Sequence, residues 1–209
     1  MTPEQFVESI ETDNATALSR LGSSKGLYAD TGGTMERAAV LRAAATGEFH
    51  ARETFEKWAD DETNDDAREA FAETAREEGE HYGLIAGELE GEHDPGETPA
   101  IQESLRSQSD TTGRAGAFLG RTMVADRSAD QATAFFVGEA DTEGADLLRE
   151  VGDDTEAQLE RAQDLLGEVC TEPADWERAS AAASDAIGAA HEEYTDSLDE
   201  MGENPEPSS

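Results

Sequence analysis

The chain has 209 residues, enough for one substantial domain with a buried core. Fifteen basic residues stand against fifty acidic ones, a formal charge of −35 that repels nucleic acid and suits concentrated salt, where the Debye length falls to about 3 Å at 1 M and self-repulsion is screened. The single cysteine, Cys170, excludes an internal disulfide, no run approaches the ~18 apolar residues of a membrane span, and no signal-like segment opens the chain, so a halophile's cytoplasmic protein is expected.

An acidic disordered chain is the competing reading, and apolar residues recurring at helical spacing argue against it. Val and Ile never alternate with polar residues over a useful length, whereas Ala, Leu, Glu and Arg dominate, so the fold reads as all-α. Thr2 or Pro3 starts an N-terminal helix carrying Phe6, Ile10, Leu18 and Leu21, which ends in "GSSKG". Thr34 is a candidate cap for the first bundle helix, which runs to about Asp60. The polar turn "DDETNDD" leads to a second helix from about Asp66 to Leu89, stopped by "GEHDPGETP". Residues 91–112 form a long aperiodic connection. A third helix follows from about Gly113 to Gly138, and after a turn at Ala140 and Asp141 a fourth runs to about Val169, with Gly152 as a point of bending. A fifth helix, 174–201, carries Trp176, Ala183, Ile187, Tyr194 and Leu198. The chain thus divides into an N-terminal helix and loop (1–33), a four-helix bundle (34–170), the fifth helix (171–201) and a disordered tail (202–209).

Short, long, short is the order of connections in a ferritin-like bundle of two antiparallel hairpins joined by one crossover; an up-and-down bundle uses short loops throughout. At about 100° per residue, the apolar face of the second helix passes through Phe71, Ala75, Tyr82, Ile85 and Leu89. Glu78 lies on that face and His81 at its edge, whereas Glu77 and Glu80 fall on the far side and read as solvated. The first helix repeats the pattern: its face through Leu41, Ala45, Phe55 and Ala59 includes Glu48, at the same offset from Leu41 as Glu78 from Phe71. Two carboxylates at matching depth in a core are costly unless something positive joins them.

Glu78-x-x-His81 offers a carboxylate and an imidazole from one helical turn to a common point. The third helix places Leu119, Met123, Asp126, Asp130, Thr133 and Val137 on one face. The fourth places Leu148, Val151, Thr155, Leu159, Ala162 and Leu166, with Gln158 beside them, or Glu156 if Gly152 shifts the register. Glu48, Glu78, His81 and Asp126 are therefore the candidate metal ligands, an oxygen-rich set with one imidazole that suits iron or manganese. The competing reading is a metal-free hydrogen-bonded Glu78–His81 pair, with Arg52 neutralising Glu48 or Glu78. His50 and His191 read as packing residues and His93 as solvent-exposed. No phosphate-binding loop follows a strand, so neither nucleotide nor haem is expected.

The segments "TGEFHARETFEKWA" (46–59) and "EEGEHYG" (77–83) resemble the first helix pair of rubrerythrin-like proteins of the ferritin-like superfamily. Gly47, Glu48, Ala51 and Phe55 match the family's first-helix pattern, and Glu78 and His81 match its Glu-x-x-His. The resemblance covers about fifty residues. It implies one or two iron or manganese ions at which oxygen or peroxide is reduced, with Glu48, Glu78 and Asp126 holding or bridging metal and His81 as a terminal ligand. An unidentified electron donor and a homodimer are implied as well. The second half departs: Asp126 and Thr155 stand where the family has Glu, Gln158 where it has the second His, and one cysteine excludes a rubredoxin-like iron site. The alternative is a non-enzymatic bundle with a degenerate metal site, acting as an interaction or stress-associated protein.

Overall fold

A computed structural model describes residues 1–204, which form nine helices and no strand. Three short helices open the chain: α1 (Pro3–Asp13), α2 (Ala15–Leu21) and α3 (Ser24–Asp30). The bundle consists of α4 (Arg37–Asp61), α5 (Asp65–Gly87), α7 (Thr111–Gly138) and α8 (Thr142–Val169), with the short α6 (Ala100–Arg106) inside the crossover and α9 (Pro173–Glu200) at the end. Short acidic or amide side chains start three of the bundle helices by accepting an otherwise orphaned backbone N–H: Asn64 from Ala67, Asp110 from Gly113 and Asp141 from Gly144. The expected cap at Thr34 is not used. Glu36 occupies that position in α4 and makes no side-chain capping bond. The single N-terminal helix expected from the sequence is broken at Asn14, which ends α1 and begins α2.

The buried apolar residues form two clusters. One is aromatic, with Phe55–Phe118 and Trp58–Phe71 ring centroids each 5.0 Å apart, contacts worth about 0.5–1.5 kcal/mol apiece beyond their buried area. The other joins Leu41 and Ala45 of α4 to Ile85 of α5, Phe136 of α7 and Leu148 of α8. α5 and α7 meet the aromatic cluster first and the aliphatic one second, while α4 and α8 meet them in reverse order. The crossover therefore carries the chain back along the bundle, and α5 and α7 run parallel. Phe6 and Ile10 of α1, and Ala183 and Ile187 of α9, extend the aromatic cluster outward.

α7 is buried without interruption from Thr112 to Val124, because α9 covers the side that α8 leaves open. Gly116 and Gly120 permit this approach: a Cβ at either would run into the backbone of Ala179 or Ala183 on α9. Beyond Val124 the buried positions are Ala129, Ala132 and Phe136, so the face expected through Asp126, Asp130 and Val137 is rotated away, and Val137 is 55% exposed. α8 runs unbroken through Gly152, and its inner face keeps its phase through Thr155 and Gln158. Residues 202–204 are held by Glu203 N–H donating to Leu198 O and Lys25 Nζ donating to Asn204 O; the rest of the expected tail lies outside the described residues. No described helix is long and apolar enough to cross a membrane.

Candidate metal centre

Between the two apolar clusters lies a polar layer to which all four bundle helices contribute. Glu48 of α4 and Glu78 and His81 of α5 converge there, with one ligand atom from each within 4.8 Å of the others. His81 Nδ1 and Glu48 Oε2 are 3.4 Å apart, and both atoms are buried with no hydrogen-bond partner. The other imidazole nitrogen, Nε2, lies 2.9 Å from Asp154 Oδ2 of α8. With Nε2–H donating to Asp154, Nδ1 presents a lone pair toward Glu48 and Glu78 when the ring is neutral. The three residues form a group that can hold a metal ion.

Asp126 is not part of it. Its half-buried carboxylate accepts from Arg127 at 2.9 Å, because α7 turns it off the inner face, and burial pushes its pKa up. α7 instead delivers Arg121, whose Nη1 and Nη2 donate to Glu78 Oε1 and Oε2 at 2.8 and 2.9 Å. Such a planar two-point pair is the strongest a guanidinium makes with a carboxylate. Arg121 Nη1 also donates to Gln158 Oε1 at 3.2 Å, and Gln158 Nε2 donates to Glu77 Oε2 at 3.2 Å. Glu77, expected in solvent, is buried and takes two further bonds from Arg161 at 2.9 and 2.8 Å. The reason is geometric: α5 packs against α8 as well as α4, so its buried arc is wider than one apolar stripe.

Of the weaker donors on the fourth bundle helix, Gln158 reaches this network, Thr155 bonds back to Val151 O at 2.8 Å, and Glu156 is exposed. Arg52 does not neutralise either glutamate. It lies over Phe49, 5.1 Å from the ring centroid, with Glu56 at 3.7 Å. His50 is a packing residue that meets Pro95 O at 3.2 Å. His93, expected in solvent, is half-buried, with Thr46 Oγ1 at 3.2 Å. Burial and the nearby Asp175 push the Cys170 thiol up to about 11, which leaves it unreactive.

Charge inside the layer is set by proximity. Against the opposing effect of burial, the Glu48 carboxylate 3.4 Å away and then the hydrogen bond to Asp154 raise His81 to about 9. Burial, opposed by Arg121 and reinforced by the Glu48 charge, raises Glu78 to about 8. Glu48 is held down at about 2, against its burial, by Glu78 and His81. The two carboxyl groups thus retain one proton between them near neutrality, and it belongs to the pair. His81 and Arg121 are positive, and with the Asp154 carboxylate counted the layer is electroneutral.

No family model, curated protein or solved structure matches the chain. The functional reading therefore rests on this geometry.

Proposed function

We propose that the protein is a metal-binding helical bundle of ferritin-like architecture, holding a single iron or manganese ion between α4 and α5. The observation that carries this reading is the pair of buried atoms without partners, Glu48 Oε2 and His81 Nδ1, facing each other beside Glu78. At 3.4 Å the two meet only as a long ion pair without a hydrogen bond, and a cation held between them would use the bonding capacity both leave unmet. Two carboxylates and one imidazole suit iron or manganese, and a single ion is the better fit because Arg121 and Gln158 take the space that a second ion's ligands would need. Iron or manganese bound there supplies a one-electron couple and open positions for oxygen or peroxide.

This chain's own residues set the conditions for loading. To hold a divalent ion, Glu48 and Glu78 would give up their shared proton and His81 its own, so the exchange would be neutral. Two displaced protons mean that affinity rises by up to about a hundredfold per pH unit below pH 8. Asp154 fixes the ring so that Nδ1 faces inward.

The second reading, a metal-free interaction protein, is favoured by one observation: the Arg121–Glu78 pair and protonated His81 already neutralise the layer. Elemental analysis of protein purified in molar potassium chloride separates the two. Glu48→Gln and His81→Gln are the informative variants, since both leave Arg121 its partner. The metal reading expects about one ion per chain in the unaltered protein and less than a tenth of that in the double variant. A folded protein that takes up no iron or manganese, even when incubated with either at pH 8, supports the second.

A further inference from the structure

Beside the metal centre lies a cavity of about 530 Å³, walled by α3, α4, α6, α7, α8, α9 and the crossover. That volume lies in the range that takes a small organic molecule. Its charged lining is mostly acidic. Asp30, Glu48, Glu97 and Glu193 line it, and Arg121 is its only basic residue, with both terminal nitrogens already on Glu78. Gln102 is 2% exposed, and its side-chain oxygen has no hydrogen-bond partner. Much of the remaining wall is apolar, including Leu27, Val40, Val124 and Leu148.

Asp30, Gln102 and Glu193 all line the cavity. Glu193 of α9 accepts from the backbone of Ala100 at 3.3 Å, which brings α6, and with it Gln102, alongside. Asp30, at the C-terminus of α3, and Glu193 are both solvent-accessible at the cavity, and the protein walls around Asp30 together with the Glu193 charge push it up to about 7. We propose that this cavity binds a small organic cation, a primary ammonium on an aliphatic chain, with the ammonium held by Asp30, Glu193 and Gln102 and the chain lying along the apolar wall. An ammonium carries three donors and no acceptor, which suits two carboxylates and an unpaired amide oxygen. A hydrated metal ion leaves the apolar wall uncovered, and a neutral hydrocarbon leaves the buried Gln102 oxygen unpaired. None of the three holding residues is a proposed metal ligand, so this inference stands apart from the metal reading.

The test is calorimetric titration of the full chain in molar potassium chloride with hexylammonium and with hexan-1-ol, its neutral counterpart. Saturable one-to-one binding of hexylammonium is expected, with the alcohol at least tenfold weaker. Asp30→Asn with Glu193→Gln weakens the amine by about tenfold or more, the loss of roughly one charged hydrogen bond, and leaves metal content unchanged. Ala44→Phe or Ser128→Leu, which fill the cavity without changing its charge, abolishes saturable binding in a chain whose helical circular dichroism is retained. Equal affinity for amine and alcohol overturns the proposal, as does amine binding that survives both filling variants, because it then lies on the acidic exterior. Absence of saturable binding overturns it too.

Discussion

The α4–α5 hairpin contributes Glu48, Glu78 and His81 to the polar layer, whereas the α7–α8 hairpin contributes Arg121 and Gln158 at the same depth. The helices are of similar length and the layer is continuous across them, yet one half supplies the two core glutamates and the other the guanidinium that pairs with one of them. A core carboxylate needs a positive partner, and the protein provides that partner for Glu78 from within its own chain. Among the described residues of the layer, Glu48 and His81 are left with unmet bonding capacity. The asymmetry confines the candidate metal ligands to one side of the layer.

Breaking the asymmetry at Arg121 should have the largest effect. Arg121→Met leaves Glu78 buried and unpaired, and a loss of about 3–5 kcal/mol is expected in urea unfolding at fixed potassium chloride. Arg121→Glu gives the second hairpin the chemistry of the first. That variant is expected to be less stable than the parent without metal and to regain about 2.7 kcal/mol from manganese at a hundred times its dissociation constant.

The second prediction concerns pH. His81 is raised from 6.5 to about 9, so its contribution is complete below pH 6.5 and is lost as pH rises through 9. Glu78, raised to about 8, acts in the same direction, because the folded chain holds a proton that the unfolded chain has released. Metal-free protein is therefore expected to lose stability between pH 6.5 and 9, and His81→Gln to flatten that slope; both are read from urea midpoints across the range.

Smaller effects come from packing. Gly120→Val forces a side chain into the Ala183 backbone and is expected to cost about 1–3 kcal/mol, whereas Gly83→Ala, on the open face of α5, should gain about 0.5–1 kcal/mol. Thermal unfolding of the two variants side by side measures the contrast between an encased helix and a half-exposed one. Asp126→Asn is expected to change stability by no more than about 0.5 kcal/mol and to leave metal uptake unaltered in elemental analysis.

Glu48, Glu78 and His81 were legible because α4 and α5 each show an apolar stripe whose period can be followed, and the carboxylates interrupt it at equal offsets. Arg121 was not, because helical periodicity has no meaning where every side is covered: from Thr112 to Val124 there is no solvent face from which to set a phase. The signal that was present was the Gly116-x-x-x-Gly120 spacing, which marks a close helix neighbour and hence a buried Arg121. Glu77 escaped for a related reason, since a helix wedged between two partners hides more than one stripe. The all-helical bundle and its short, long, short connections followed from composition and turn residues, whereas α6 was hidden in the Pro- and Gly-rich crossover.

The seam between α7 and α9 has a consequence for how the chain is made. α9 leaves the ribosome after every helix it packs against, and until it docks, the small residues at Gly116 and Gly120 bare the main chain of α7 to water. The helix that carries the guanidinium is encased only once α9 has emerged, so a nascent chain stalled before residue 173 holds Arg121 on a helix with one side still open.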